Sequence, residues 1–398
     1  MSKRVGLQTT IIVAMLSMIG PFTIDSVFPA FARIGVQFGA SDAALQQITS
    51  IYLFSYAFAS LFHGPISDSV GRKPVMVAGM AAFTLASIGC ALAPSLAVLL
   101  VFRAVQGIFA GAAQIISRAL VRDLYDGWQA QRVMAQVSMI FGIAPALAPV
   151  IGGLLSEALG WHAVFWFLVA VGVVLTLVNL RFLPETLPVQ ARQPFQVGNL
   201  MRGYGQLLSD PRFLLLALAS GVPFNGMFLY VLSAPAFLGD ILALRPTQFF
   251  WFFVLTISGI MLGSWQSGRM AGKVRPKNQI MRGFRIMLGV SLLNVVANLL
   301  FTPSVWWSLW PIAIFSYGWA LMVPVVTLMV LDLHPARRGM ASSLQAVVAS
   351  TANGIVAGVV APLVMHSAIG MALTSLALMA IGLVAWGWLR MRWRDMGY

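Results

Sequence analysis

The 398-residue sequence contains a single cysteine, Cys90, so an intramolecular disulfide framework and a four-cysteine metal site are both excluded. Its four histidines, His63, His162, His334 and His366, show no HExxH or other ligand spacing, and a catalytic metal is therefore not expected. The sequence lacks a GxxxxGK[ST] loop, which argues against a pump driven by nucleotide hydrolysis. It also lacks a paired nucleophile and base, so we do not expect an enzyme.

Charged residues are scarce as well, at 9% of the chain, whereas hydrophobic residues make up 59% and the mean hydropathy is +0.87. A soluble protein of this size needs many more polar residues to cover its surface, so lipid is the expected solvent. A membrane-spanning helix requires about 20 mainly apolar residues. The runs that meet this requirement are residues 7–29, 44–67, 74–93, 96–118, 133–156, 161–183, 212–238, 247–268, 280–301, 306–331, 341–366 and 368–389. We therefore predict an all-α integral membrane protein with twelve transmembrane helices.

The 25 Lys and Arg residues indicate how these helices are oriented. All but Arg33, Arg103 and Arg245 fall in segments that lie on one side of the membrane if the amino terminus is cytoplasmic. Lys and Arg favour cytoplasmic loops, so both termini are predicted to be cytoplasmic. The net charge of +14 does not indicate nucleic-acid binding, because the cations lie between hydrophobic segments and do not cluster on a polar face.

The longest polar stretch, residues 184–211, separates the sixth predicted span from the seventh and is rich in Pro, Gly and Gln. We therefore predict an amino-terminal six-helix bundle (1–183), a cytoplasmic linker (184–211) and a carboxyl-terminal six-helix bundle (212–398). Weak similarity between "GPISD" at 64–68 and "GSWQS" at 263–267 supports two pseudo-symmetric bundles, because each motif ends the second helix of its half. Transporters built from repeats bind their substrate between the halves, near the middle of the membrane.

The segment "GPISDSVGRKPV", residues 64–75, joins the second and third spans. Gly71 permits a tight turn there, and Pro74 suits the first turn of the next helix. Asp68 is placed to pair with Arg72 or to accept hydrogen bonds from the amino-terminal amides of a neighbouring helix. An ordinary charged loop is the alternative interpretation.

This loop resembles the signature of the major facilitator superfamily, through Gly64, Asp68, Gly71, Arg72 and Lys73. The segment "RAVQGIFAGAA" (103–113) is similar to the fourth-helix motif of the proton-coupled members, through Arg103, Gln106 and Gly107. The segment "APVIGGLL" (148–155) resembles the fifth-helix motif of the antiporters, through Pro149, Gly152 and Gly153.

Two further features, "RALVRDLY" (118–125) and the spacing from Asp25 to Pro29, resemble the bicyclomycin-resistance (Bcr/CflA) drug-efflux subfamily. Together with the twelve spans, the resemblance covers essentially the whole chain, and its motifs are confined to the first half. It implies a transporter of the bacterial inner membrane that uses no cofactor. We expect its partners to be a small-molecule substrate, protons and the bilayer, and we expect a monomer.

The five loop residues are predicted to control conformational gating, together with Pro145, Pro149, Gly152 and Gly153 on the fifth span. The glycines allow close helix contact, while the prolines remove backbone donors and bend the helix. Two residues depart from the family pattern: Ser69 replaces a basic residue of the loop, and Ala148 replaces the glycine before Pro149.

Asp25 and Arg103 are charged residues within predicted spans, and we predict that they couple transport to protons. A charge at the bilayer centre costs at least about 2.5–3.5 kcal/mol and therefore usually faces a cavity or a partner. Because the resemblance implies that the first and fourth helices line the cavity, the two groups are expected to share one water-filled space. The alternatives are that Asp25 only ends the first helix at the interface, and that Arg103 snorkels or is purely structural.

Polar-tipped and aromatic side chains within the spans are the candidates for a substrate cavity. They are Tyr52, Tyr56, Gln106, Gln114, Phe224, Asn225, Phe228 and Tyr317. An aromatic, weakly polar pocket accepts varied amphipathic compounds and stacks on cations.

The sequence thus predicts proton-driven export of hydrophobic or amphipathic small molecules by alternating access. Export of an endogenous metabolite or siderophore is an alternative, as is proton-coupled import of a small polar solute. A membrane receptor is a further alternative, although the short loops offer no signalling domain.

Overall fold

The computed structural model describes residues 3–245 and 248–393. Helices make up 88% of the structure and no β-strand occurs in these two ranges, which confirms the predicted all-α fold. Arg394, one of the cations that predict a cytoplasmic carboxyl tail, lies outside the described residues.

The helices of the first half follow the predicted spans, with one short addition after the first. They are α1 (Lys3–Asp25), α2 (Phe31–Phe38), α3 (Asp42–Val70), α4 (Arg72–Ala91), α5 (Leu96–Leu124), α6 (Gly127–Leu159) and α7 (Trp161–Phe182).

The second half begins after a helix within the predicted linker, α8 (Val197–Ser209). The helices that follow are α9 (Pro211–Leu232), α10 (Phe250–Met270), α11 (Pro276–Leu300), α12 (Val305–Ser308), α13 (Trp310–Leu333), α14 (Arg338–Ile355), α15 (Ala361–Val364) and α16 (Ala368–Arg392). Two π-helical segments, Pro235–Ile241 and Val356–Val360, interrupt the α-helical pattern.

Within the described residues, eleven helical segments are long and apolar enough to cross a membrane. The remaining predicted span, the second (44–67), lies in α3, which is long enough but is not among the eleven. Polar residues such as Thr49, Ser60 and His63 lower the hydropathy of α3, and all three are buried. Helix α3 therefore directs its polar side chains into the protein, which a count of apolar residues does not reveal.

The two halves use the same pattern of helix packing. In the first half, α5 packs against α1, α3 and α4, and α4 packs against α7. In the second half, α13 packs against α9, α10 and α11, and α11 packs against α16. The fourth and tenth spans thus occupy equivalent central positions, as expected for two pseudo-symmetric bundles.

The chain divides into two compact units. The first comprises residues 1–125, 140–204 and 334–346, and the second comprises 126–139, 205–333 and 347–398. The first unit therefore contains the start of α14, and the second contains the start of α6. The domain boundaries at residues 183/184 and 211/212 stay a prediction.

The linker was predicted as a polar stretch only, yet residues Val197–Ser209 form α8. Gly203 and Leu207 are buried and Leu200 and Tyr204 are partly buried, at the 3- and 4-residue spacing of one helical face. Tyr204 donates a hydrogen bond to the Leu61 carbonyl, which fastens α8 to α3. Burial raises the pKa of the Tyr204 phenol, so this group remains a donor.

Glycine brings α11 and α13 into close contact. A Cβ added at Gly283 would lie 2.6 Å from the Gly318 carbonyl oxygen, which is too near for any side chain. A Cβ added at Gly289, on the same helix, would have no neighbour within 4 Å. The two glycines therefore lie on the same helix but differ in the room that is available for a side chain.

This difference predicts opposite effects of alanine at the two positions. Gly283→Ala should destabilise the protein by about 1–3 kcal/mol, because α11 and α13 must separate. Gly289→Ala should be neutral or stabilising by about 0.5–1 kcal/mol, because alanine favours the helix. Thermal unfolding of both variants in detergent checks this, and a similar loss of stability in both would contradict it.

Candidate functional site

Asp68, near the end of α3, is 3% exposed and has two kinds of partner. Its Oδ1 accepts a hydrogen bond from Arg72 Nη1 at 2.5 Å, which forms an ion pair between α3 and α4. The backbone amides of Gly339 and Met340 donate to its two carboxylate oxygens at 3.2 and 3.0 Å. Those amides belong to the first turn of α14, where unpaired N–H groups and the helix dipole favour a negative charge. Both partners proposed for Asp68 from the sequence therefore contact it.

Two residues that the sequence did not identify extend this ion pair. Arg72 Nε donates to Asp123 Oδ2 at 3.0 Å, and Arg338 Nη1 donates to Asp123 Oδ1 at 3.1 Å. Because Arg338 precedes Gly339, the contacts close a ring through Asp68, Arg72, Asp123 and Arg338, which we call the charge ring. Acids and bases alternate around it, so each buried charge has an opposite charge beside it. The signal for Asp123 was its place in "RALVRDLY", whereas nothing near Arg338 in the sequence pointed to it.

The linker contributes a third acid beside the charge ring. Glu185 accepts hydrogen bonds from the backbone amides of Arg72 and Lys73 at 3.0 and 3.2 Å, and so caps the amino-terminal end of α4. Gly71 has φ = +116°, and a Cβ there would lie 2.5 Å from a Glu185 carboxylate oxygen. Glycine is therefore required at this turn for both its backbone conformation and its size.

Gly64 lies against Gly339, where α3 meets the start of α14. A Cβ on Gly64 would overlap the Gly339 carbonyl, and one on Gly339 would lie 2.6 Å from both the Gly64 carbonyl and Asp68 Oδ1. The Gly64 amide also donates to Ser343 Oγ at 3.0 Å. The two glycines together let α14 approach closely enough for its amides to reach Asp68.

Arg103 on α5 is completely buried, and its partners are mainly uncharged oxygens. Its Nε donates to the Ile48 carbonyl at 3.0 Å, and its Nη1 donates to the Thr23 carbonyl at 3.2 Å and to Gln106 Oε1 at 2.6 Å. The guanidinium carbon lies 4.5 Å from the centre of the Tyr52 ring, a cation–π contact. Among the described residues no acceptor is found for Arg103 Nη2.

Asp25 is the last residue of α1 and is partly buried. Within the described part of the chain, no ion pair joins it to Arg103. The guanidinium binds instead to the carbonyl of Thr23, in the same helical turn as Asp25. Asp25 and Arg103, the predicted pair, therefore meet the same turn of α1 without forming an ion pair.

The predicted cavity residues of the first half divide into two groups. Tyr52 and Gln106 are completely buried, and Gln106 Nε2 donates to Ser87 Oγ at 2.7 Å. They support Arg103 and face no open space in this conformation. Tyr56 and Gln114 are partly exposed and hydrogen-bonded to each other, and the Tyr56 ring stacks on Tyr52 with centroids 6.3 Å apart.

In the second half, aromatic rings form a cluster on α9 and α13. Phe224 stacks on Phe228 at 5.3 Å between centroids and contacts Trp319 at 5.0 Å. Trp319 was not among the cavity residues predicted from the sequence. Asn225 is completely buried, its Nδ2 donates to the Gly221 carbonyl at 3.3 Å, and Tyr317 is partly buried.

The residues of the fifth-helix motif lie on α6, which continues through both Pro145 and Pro149. A Cβ on Gly152 would overlap the Ser26 carbonyl, so α6 and the end of α1 are in close contact there. Gly153 has more room, because its added Cβ would lie 3.8 Å from Pro29.

A second polar cluster, which the sequence did not predict, lies in the second unit. Gln131 on α6 donates to Gln279 Oε1 at 2.7 Å, and Gln279 Nε2 donates to Ser267 Oγ at 2.7 Å and to the Leu321 carbonyl at 2.8 Å. All three side chains are buried. Ser267 ends the "GSWQS" motif and corresponds to Asp68 in the first repeat, so this glutamine cluster is an uncharged counterpart of the charge ring.

Comparison with known proteins gives a consistent result over nearly the whole chain. The sequence profile of the Major Facilitator Superfamily matches residues 10–358. Multidrug resistance protein D of Escherichia coli (strain K12) is 28% identical over 385 residues, which cover 96% of each chain. The bicyclomycin resistance protein homolog of Haemophilus influenzae is 29% identical over 385 residues, which cover 95% of each chain. The structure of the proton:xylose symporter XylE superposes with a TM-score of 0.77, covering 98% of this chain and 95% of that one, and its 12% identity bears on the fold alone.

The charge ring predicts that Asp123 stabilises the folded protein. In Asp123→Asn, both Arg72 and Arg338 lose their shared carboxylate, and breaking a buried ion pair costs about 3–5 kcal/mol. We expect a clear fall in the unfolding temperature in detergent. Adding Arg338→Gln should then cost less than it does in the wild type, because the two residues share one interaction.

Glu157→Gln is the matched control, since Glu157 is an exposed carboxylate in the same unit. It should unfold like the wild type. If Asp123→Asn also does so, the charge ring contributes nothing to holding these helices together.

Proposed function

Because the chain belongs to the Major Facilitator Superfamily, we propose that it is a proton-coupled exporter of hydrophobic or amphipathic small molecules. Membership makes it a membrane transporter of small molecules rather than an enzyme. The observation that carries the proposal of drug export is the similarity, over 95% or more of the chain, to proteins named for multidrug and bicyclomycin resistance. The aromatic cluster around Phe224 is chemically suited to such compounds, since stacked rings bind apolar surface and cations without demanding one shape.

The relatives are bacterial, and we propose that the protein lies in the inner membrane as a monomer with both termini in the cytoplasm. The asymmetric distribution of Lys and Arg supports this orientation. The charge ring and the linker then lie on the cytoplasmic side.

We assign the proton to Asp25 and the control of its charge to Arg103. A carboxylate in an apolar cavity favours its neutral form, and an approaching guanidinium favours ionisation. Arg103 has a buried donor without an acceptor and is tied to the turn that carries Asp25. The proposal requires α1 to turn between access states, so that the Asp25 carboxylate reaches this donor. A carboxyl group whose proton affinity changes between access states carries a proton across the membrane if substrate and proton alternate.

We assign the stabilisation of one access state to Asp68. Its carboxylate joins α3, α4 and the first turn of α14 through an ion pair and two amide hydrogen bonds. The two amide hydrogen bonds break together if the start of α14 moves away, while the ion pair between α3 and α4 remains. Such an all-or-none contact gives the two-state behaviour that alternating access requires.

Two other transport functions are compatible with the same scaffold. Export of an endogenous metabolite or siderophore uses the same residues with a different substrate, and import of a small polar solute reverses the direction. Competition between candidate substrates for binding to the purified protein distinguishes the first, and vesicle transport in both directions distinguishes the second.

Replacing Asp68 should separate transport from binding. Asp68→Asn keeps an oxygen for one α14 amide but removes one of the two carboxylates that neutralise Arg72, so the access state in which α14 contacts α3 loses stability. We expect reduced transport in proteoliposomes, while substrate binding in detergent remains measurable. Ser69→Ala is the control and should transport normally. Full transport by Asp68→Asn leaves only the interpretation of an ordinary charged loop.

Replacing Asp25 tests the proton coupling itself. Asp25→Asn should abolish uphill efflux driven by a pH gradient, because the amide cannot release a proton, while neutral substrates still bind. The most direct measurement is proton release when substrate is added to purified protein in weak buffer. Glu157→Gln, which alters an exposed carboxylate at the end of α6, should release protons like the wild type. If Asp25→Asn also releases protons and drives efflux, another residue couples transport to protons.

A further inference from the structure

The connection between α10 and α11 is strongly basic. Residues 269–285 contain six Lys and Arg residues, and the sequence has no Asp or Glu between Asp240 and Asp332. Arg275, Arg282 and Arg285 are exposed and have no ion pair with any described residue. Their charge is therefore not neutralised within the described protein.

These arginines share one face of α11. Arg275, Asn278, Arg282 and Arg285 recur at 3- and 4-residue spacing and are all exposed. Further along the helix the same face continues through Gly289, Leu292, Val296 and Leu299, which are exposed and apolar. We call this surface, from Arg275 to Leu299, the α11 stripe.

The distance from the arginines to the apolar part of the α11 stripe matches the thickness of one leaflet. At 1.5 Å per residue, Arg285 and Val296 lie about 16 Å apart along the helix axis. Half of the hydrocarbon core of a bilayer is roughly 15 Å thick. An anion at the arginines therefore leaves the apolar part of the stripe at the depth of an acyl chain.

A cation and an aromatic ring mark the depth of the membrane interface at the end of α10, just before the connection that leads into the stripe. Trp265 on α10 is exposed, and the guanidinium carbon of Arg269 lies 4.0 Å from the centre of its ring. Tryptophan is enriched at the level of the lipid headgroups. This contact is one turn before the end of α10, so the basic connection lies at headgroup depth.

From these observations we infer that the α11 stripe is a binding site for an anionic phospholipid, whose phosphate lies at Arg282 and Arg285 and whose acyl chain follows Gly289 to Leu299. Arg275, about 10 Å from Arg282 along the helix axis, adds only to the attraction of negative charge. The arginines select the negative headgroup, since each cation near a membrane surface strengthens the attraction to anionic lipid about fivefold. A free anion gains nothing from the apolar part of the stripe, and a zwitterionic lipid gains little from the cations. The inference requires only that α11 spans the membrane, and it does not depend on the substrate or on proton coupling.

The test compares lipid binding by full-length variants that lose the same number of charges. Arg282→Gln/Arg285→Gln should weaken binding of phosphatidylglycerol by ~25-fold, measured by native mass spectrometry or by titration in detergent. Arg33→Gln/Arg245→Gln removes two exposed arginines elsewhere and should bind like the wild type. Arg282→Lys/Arg285→Lys keeps the charge and should restore most of the affinity. Phosphatidylcholine should bind weakly to all four proteins.

Three further outcomes would overturn the inference. If glycerol phosphate, which has the headgroup charge but no acyl chain, binds as tightly as phosphatidylglycerol, the site is one for a free anion. If the stripe variants change the oligomeric state while phosphatidylglycerol binding is unaltered, the face contacts a second copy of the chain. Equal losses in the stripe variant and in the Arg33/Arg245 variant would mean that only net charge matters.

Discussion

A buried charge is least costly when an opposite charge lies beside it, and in the first unit the charge ring meets this condition for four residues. Asp68, Arg72 and Asp123 have side chains no more than 7% exposed, and Arg338 is 20% exposed. Removing a partner from any of them therefore leaves a largely buried charge uncompensated, which destabilises the fold. The four residues come from α3, α4, α5 and α14. Each residue of the charge ring has its partners only when all four helices are in place. The ring therefore favours one arrangement of these helices.

Much of this fold could be predicted from the sequence, because hydrophobic length is a local property. The contact of Asp68 with Arg72 could also be predicted, because the two residues are only four positions apart. Asp123 and Arg338 were missed because they approach from distant segments, which no local spacing reports. The place of Tyr52 and Gln106 in a substrate cavity stays a prediction, because a polar tip within a span indicates only the need for a partner, and Gln106 has interior partners in Arg103 and Ser87. Helix α8 was not predicted, because the linker has a composition typical of loops. The spacing of its half-buried face is nevertheless helical.

The two units solve the same packing problem with different chemistry. Where the first repeat has Asp68, the second has Ser267, and Gln131 and Gln279 supply the hydrogen bonds around it. Amides carry no net charge, so their burial costs less than that of ions and their bonds are not screened by salt. The two repeats therefore share a pattern of helix packing but differ in their polar groups. The first repeat therefore depends on buried charge at this position, whereas the second depends on hydrogen bonds alone.

The contact between Gly64 and Gly339 has a consequence for how the sequence can vary. Each glycine occupies the space that a side chain on the other would need, and Asp68 and Arg72 fill the remaining volume around Gly339. A substitution at either position therefore has no nearby partner that can shrink in compensation. The two positions, far apart in the chain, behave as one site in evolution: sequences that keep the acid at position 68 should retain both glycines, and those that lose it become free to lose them together.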